Sequence, residues 1–255
     1  MSEFVRLAVR VPAGDREQTV ARLLDLAPGG FEEVDLGDET EFAVYADVAG
    51  AAAILRAFPA AVASPVSPGW EDRWREFHRP AWAGGVWLGP PWETPPAGAL
   101  AVVIDPGRAF GTGAHPTTRL CVELLAGLER RGSLLDVGCG SGVLAIAAAR
   151  LGYGPIVAID NDPVAVEVTR ANAIANGVEL DVWVVDAEGE PLPAADVAVA
   201  NVLLHPVEAI LARLDSTVAI TSGYLAGEVP RTARWEARTR LELDGWSADL
   251  FAASE

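Results

Sequence analysis

The segment Leu134–Gly152, LLDVGCGSGVLAIAAARLG, constrains this chain more than any other. A short apolar strand, Leu134–Val137, runs into Gly138, Gly140 and Gly142 and then straight into an alanine-rich helix. Glycines at alternate positions let the backbone turn tightly and let a ligand approach without interference from a Cβ. In open α/β sheets, ligands sit beyond the carboxyl ends of the strands, so this loop is the expected site. The flanking pattern repeats the strand–helix unit. Strands are expected at 100–104, 133–136, 156–160, 182–186, 196–201 and 218–222. Helices are expected at 117–130, 142–151, 163–176 and near 206–214. The fold class is therefore α/β, a doubly wound Rossmann-like sheet. At the end, 236–243 and 246–252 flank Asp244-Gly245, a strong two-residue hairpin signal. A parallel sheet closing on an antiparallel hairpin differs from a plain dinucleotide-binding fold.

The first 66 residues read differently. FVRLAVRV alternates as a half-buried strand does. Asp15–Leu26 carries Val20, Leu23 and Leu24 at helical spacing, with Gly29-Gly30 as its stop. Strands near 31–36 and 41–45 are joined by a turn at Gly37-Asp38, followed by a helix at 49–58 and a strand at 61–66. The order β-α-β-β-α-β is that of a ferredoxin-like unit. With no cluster of reactive side chains, it suits recognition of a partner. Residues 67–99 form a connector: a short helix with Trp70, Trp74 and Phe77 on one stripe, then a Pro- and Trp-rich loop holding Trp82, Trp87 and Trp92. Its aromatics are expected to wedge domains together. Residues 100–255 form the α/β domain.

Charge and composition exclude several functions. The net charge is −17, against the basic surface that nucleic acid requires. All 19 basic residues are arginine, so every mechanism that needs a lysine is excluded: a Walker-type phosphate loop, a Schiff base, a pyridoxal anchor, a kinase lysine. Cys121 and Cys139 are far from any Cys/His cluster, which gives neither a disulfide framework nor a zinc site, and no metal is expected. The N-terminus lacks an apolar run after a basic start, and no uninterrupted apolar stretch reaches the ~18 residues of a membrane span. The expectation is a cytoplasmic, monomeric protein without membrane or direct nucleic-acid contact.

The loop spacing, G-x-G-x-G, departs from the dinucleotide fingerprint G-x-G-x-x-G. Asp136, just before the loop, suits a ligand bearing an ammonium group and suits a pyrophosphate poorly. Asp160 ends the next strand, 22 residues beyond Gly138, where a carboxylate accepts hydrogen bonds from two ribose hydroxyls. Together these residues select a nucleoside with an amino-acid tail, S-adenosylmethionine. The segment DPGRAFGTGAHPTTRL (105–120) adds a helix start at Thr117 or Thr118, whose hydroxyl is expected to cap the helix and whose backbone N–H groups suit a carboxylate. Phe110 is placed to cover the adenine or the sulfonium.

The set FGTGAHPTTRL, LLDVGCGSGVLAIAAARLG, AIDNDPVAVEVTRANAIANG and VANVLLHP resembles the ribosomal protein L11 methyltransferase family, from about Trp70 to Tyr224. The resemblance implies a class I methyltransferase fold and S-adenosylmethionine as cofactor. It also implies methylation of lysine and N-terminal amines of a basic ribosomal protein. It places cofactor contacts at Thr118, Gly138, Asp160 and Asn201, and the small N-terminal domain in substrate recognition. The match weakens after Asn201. ARLDSTVAITSG is short and lacks the family's Pro-Gly-Gly turn, His205-Pro206 is unusual, and the last helix, with Pro230 in it, is trimmed. Substrate alternatives therefore stay open: another protein lysine, or a cofactor-binding module that has lost activity.

The chemistry needs a neutral amine held in line with the methyl group at about 3–3.5 Å. Asn201, with its carbonyl and amide, is the candidate to orient that amine. Asn201-Val202-Leu203-Leu204 has no aromatic on which to stack a base, which argues against a nucleobase acceptor.

Overall fold

The computed structural model describes residues 5–27, 31–65, 79–105, 111, 113–129 and 131–254. The expected helix at Trp70–His78, the Gly29-Gly30 stop and Phe110 lie outside the described residues, as does the side chain of Leu24. The chain divides into two compact units, residues 1–77 and 78–255.

The first unit has strands β1 (Val5–Pro12), β2 (Phe31–Asp35), β3 (Glu39–Ala46) and β4 (Val62–Pro65), with helices α1 (Arg16–Leu26) and α2 (Val48–Ala57). The sheet order is β2-β3-β1-β4, antiparallel throughout, which is the ferredoxin-like arrangement. Period-two alternation turns Leu7, Val9, Phe42 and Val44 toward Leu23 and Ile54 of the helices. The opposite face carries Glu41, clasped by Arg6 Nη2 and Arg10 Nε at 2.6 Å each. The bond from Arg6, then that from Arg10, holds the Glu41 carboxyl below its ordinary pKa.

In the second unit a small sheet precedes the large one. Strands β5 (Ala81–Ala83) and β6 (Val86–Gly89) form a hairpin, and β7 (Leu100–Val103) runs parallel to β6. This corrects two expectations. The Trp-rich stretch read as loop contains two strands, because Gly84-Gly85, both at positive φ (54° and 76°), makes the tight turn. The strand at 100–103 belongs to this three-stranded sheet and not to the doubly wound one.

The large sheet has strands β8 (Leu134–Val137), β9 (Ile156–Asp160), β10 (Asp181–Val184), β11 (Val197–Asn201), β12 (Val218–Leu225), β13 (Trp235–Leu243) and β14 (Trp246–Ala253), in the order β10-β9-β8-β11-β12-β14-β13. The first five are mutually parallel, and β14 is antiparallel to β12 and β13. The hairpin turns at Asp244 and Gly245, with φ of 50° and 82°. Helices α3 (Pro116–Gly127) and α4 (Val143–Leu151) pack with Val166 of α5 (Pro163–Asn176) in one apolar cluster, and α6 (Leu204–Arg213) packs into another. The strand order reverses between β8 and β11, the crevice where such sheets take ligands.

Three local differences from expectation stand out. Helix α3 stops at Gly127, not at residue 130. Strand β12 runs three residues longer, past a bulge between Ser222 and Tyr224. No helix lies between β12 and β13, where Gly227 and Pro230 break one. Among the described residues, no helix is long and apolar enough to cross a membrane.

Candidate functional site

The glycine loop leaves β8 and wraps onto the end of β9. The N–H groups of Gly138 and Cys139 both donate to the Ile159 carbonyl, at 2.9 and 3.0 Å. Gly138, Gly140 and Gly142 all have positive φ, at 74°, 55° and 81°. At Gly142 the constraint is also steric: a Cβ would lie 2.8 Å from Thr169 Cγ2. Cys139 and Ser141, which alternate with the glycines, are buried, so the loop keeps its side chains inside the protein.

Asp160 closes the loop from below. Its Oδ2 accepts from Gly140 N at 2.9 Å and its Oδ1 from Asp162 N at 3.0 Å. Each carboxylate oxygen retains a further lone-pair direction, so the group can still receive hydroxyl donors. Asp136 is placed differently. It is 1% exposed, with Oδ2 accepting from Ala145 N at 3.0 Å and Oδ1 buried without a partner. Burial pushes its carboxyl up to about 7; the Ala145 N–H opposes this and the charge of Asp160 adds to it.

On the other side of the crevice, α3 begins one residue earlier than its threonines suggest. Pro116 occupies the first helical position, so the cap falls on His115, whose Nδ1 accepts from Thr117 N at 3.4 Å and lies 2.7 Å from Thr117 Oγ1. This corrects the expectation that Thr117 or Thr118 caps the helix. The His115 ring meets Trp246 edge to face at 5.0 Å, and burial lowers its pKa to about 4. Thr117 is buried against this cap. Thr118, also fully buried, faces β11, where its Oγ1 accepts from Asn201 Nδ2 at 3.4 Å.

That contact orients the Asn201 amide and leaves Oδ1 buried with no donor. The backbone after Asn201 is boxed in. A Cβ on Gly138 would lie 2.5 Å from Val202 Cγ1, and one on Gly223 would lie 2.1 Å from the Val202 carbonyl oxygen. The β12 bulge that admits Gly223 is backed by Tyr224, whose hydroxyl lies 2.7 Å from Thr221 Oγ1 and 2.8 Å from Asp249 Oδ2. The structure thus brings Thr118, Gly138 and Asn201 together, with Asp160 and Gly140 paired nearby.

The residues that sequence reasoning missed lie behind the loops. Thr169, Asn172 and Asn176 form a polar stripe on α5. Thr169 Oγ1 donates to the Gly140 carbonyl at 2.9 Å, and Asn172 Nδ2 to the Ser141 carbonyl at 2.9 Å. Their i, i+3, i+7 spacing was the available signal. Among the described residues no group of three His, Cys, Asp or Glu is arranged to hold a metal.

A family model described as ribosomal protein L11 methyltransferase matches residues 38–241, most of the chain and all of the site. The chain belongs to the ribosomal protein L11 methyltransferase family. Its relatives include proteins named ribosomal protein L11 methyltransferase from Klebsiella pneumoniae strain 342 and from Symbiobacterium thermophilum. The first is 43% identical over 161 residues, covering 61% of this chain and 54% of the relative. The second is 43% identical over 194 residues, covering 73% and 62%. The chain therefore spans between about half and three fifths of the length of these curated relatives. A solved ribosomal protein L11 methylase from Lactobacillus delbrueckii subsp. bulgaricus matches 69% of this chain and all of its own, with a TM-score of 0.63 at 23% identity. This likeness shows the class I methyltransferase fold of this family member.

Proposed function

We propose that this chain is an S-adenosylmethionine-dependent methyltransferase acting on lysine and N-terminal amines of ribosomal protein L11. The observation that carries the reading is Asn201 Oδ1, a buried acceptor without a donor at the end of β11, next to the glycine cradle. An uncompensated buried carbonyl is costly, and an amine N–H is the donor that relieves it. Membership of the family and the names of the relatives support the same reaction.

The residues present fit the cofactor. Gly138, Gly140 and Gly142, all at positive φ, shape the loop against which a nucleoside would lie. Asp160 would receive the two ribose hydroxyls on the lone pairs that Gly140 N and Asp162 N leave open. The orphaned Oδ1 of Asp136 stands ready for an ammonium donor. Thr118 would add a contact through the same hydroxyl that orients Asn201, and Thr117 and Phe110, the latter outside the described residues, are proposed as further contacts. When bound, S-adenosylmethionine supplies an already activated methyl group. The chain's own task is then positional. Asn201 Oδ1 would accept one N–H of the incoming amine and so orient its lone pair. The apolar Val202 and Leu203 strip water from the amine, which favours its neutral, nucleophilic form.

The substrate is a basic protein, drawn to a chain of net charge −17. The N-terminal α+β unit recognises it, and the chain acts as a cytoplasmic monomer without direct nucleic-acid contact. Two measurements test the reading. Mass spectrometry of ribosomal proteins incubated with the chain and labelled cofactor should show methyl groups on L11; label on other proteins alone would overturn the substrate. Asp160→Ala should weaken cofactor binding about tenfold or more, from loss of charge-assisted bonds of roughly 1.5–3 kcal/mol. Unchanged affinity by calorimetry would remove Asp160 from the ribose.

A further inference from the structure

Asn172 lies on α5, outside every contact assigned above to cofactor or amine, and is 4% exposed. Its two amide atoms serve two different site segments. Nδ2 donates to the carbonyl of Ser141 in the glycine loop at 2.9 Å, and Oδ1 accepts from the backbone N–H of Asp105 at 3.3 Å. Ser141 extends the link, its Oγ donating to the Gly111 carbonyl at 2.5 Å. A Cβ on Gly111 would come within 2.9 Å of that Oγ, so the serine side chain sits directly against Gly111. The glycine loop is thus tied to both Asp105 and Gly111, on either side of residues 106–110. Asn176, one turn further along α5, is an internal comparison. It is 6% exposed and bonds Val103 and the Asn172 carbonyl, but no residue of the glycine loop.

We propose that Asn172 is a positioning residue: by holding the glycine loop at Ser141 and the backbone at Asp105 at one separation, it sets the affinity for the cofactor. The proposal rests on the reading of the crevice as an S-adenosylmethionine site. Residues that touch a ligand hold their geometry only when a supporting layer locks them. Here one amide joins the glycine loop to the Asp105 backbone, two stretches from different parts of the chain.

The experiment is a titration of the full chain with S-adenosylhomocysteine by calorimetry, paired with thermal unfolding, for the wild type, Asn172→Ala, Asn172→Asp and Asn176→Ala. Both alanine variants delete a buried amide and strand backbone groups, so both should unfold at lower temperature. Only Asn172→Ala should also bind the ligand at least about fivefold more weakly, the effect of a lost hydrogen bond or two. Asn176→Ala should stay within about twofold of the wild type. Asn172→Asp has nearly the same shape, keeps an acceptor for Asp105 and turns an oxygen toward the Ser141 carbonyl. It should lose affinity as well, and it decides the matter if the alanine variant does not fold. Wild-type affinity in the Asn172 variants, or equal losses in Asn172→Ala and Asn176→Ala, would overturn the proposal. A wild-type chain that takes up no S-adenosylhomocysteine would overturn the cofactor site itself, and this inference with it.

Discussion

Gly138 and Val202 stand so close that a Cβ on the glycine would lie 2.5 Å from Val202 Cγ1. The first glycine of the loop therefore touches the strand end that carries Asn201, so the glycine loop and Asn201 share one wall.

Gly138→Ala is the direct test of that wall. The new methyl group meets Val202 and requires positive φ of a residue that disfavours it. Stability should fall by roughly 1–3 kcal/mol, with methyl transfer lost together with cofactor binding. Near-normal turnover in this variant would show that the two regions are independent.

His115 should make the fold acid-sensitive. Burial lowers its pKa from 6.5 to about 4, so the unfolded chain takes up a proton that the folded chain refuses. The stability it contributes is whole above about 6.5 and is lost as the pH falls through about 4. Asn is a good cap residue and does not protonate. His115→Asn should therefore keep α3 and flatten the stability curve between about 4 and 6.5, measured by denaturant unfolding at several pH values.

Asp136 should act in the opposite direction. Burial raises its pKa from 3.8 to about 7, so folding takes up a proton in that interval. The stability tied to the protonated form is complete below about 3.8 and lost as the pH rises through about 7. Asp136→Asn keeps an acceptor for Ala145 N and should remove this loss. The single variants separate the two opposed slopes, and an Asp136→Asn curve that still falls with rising pH would clear Asp136 of the effect.

Capture of a basic substrate by a chain of net charge −17 should be salt-dependent. The Debye length shrinks from about 10 Å at 0.1 M to about 3 Å at 1 M. kcat/KM for the protein substrate should drop across that range while cofactor affinity changes little. A flat or rising profile would assign the acidic surface to solubility alone.

The glycine loop and Asp160 were legible in the sequence because their chemistry leaves few choices. Positive φ at 138, 140 and 142 requires glycine, and an acid closing the next strand stands out in an apolar run. The parallel run of strands follows from the alternation of strands and helices. Other features were hidden where two readings compete. Gly84-Gly85 looks the same in a loop and in a hairpin, and the surrounding prolines and tryptophans obscured Ala81–Gly89. His115 capped α3 because Pro116 fixed the first turn, which outweighed the intrinsic preference of the threonines. The roles of Asn172 and Asn176 were hidden because their partners, Asp105 and Val103, lie about 70 positions away in sequence.

The pairing of Asn176 with Val103 is a ladder rung made by a side chain. Its amide donates to the Val103 carbonyl at 2.6 Å and accepts from the Val103 N–H at 2.8 Å, as a neighbouring strand would. Asn172 then meets Asp105, so four residues of helix run against two residues of extended chain, in opposite directions. Four helical residues advance about 6 Å and two strand residues about 6.6 Å, so the two lattices are nearly commensurate over one step. Like a vernier, they drift apart by about 0.6 Å with each further step. A helix can therefore stand in for an edge strand over a rung or two and no more, and this one uses its two rungs where the chain enters the site.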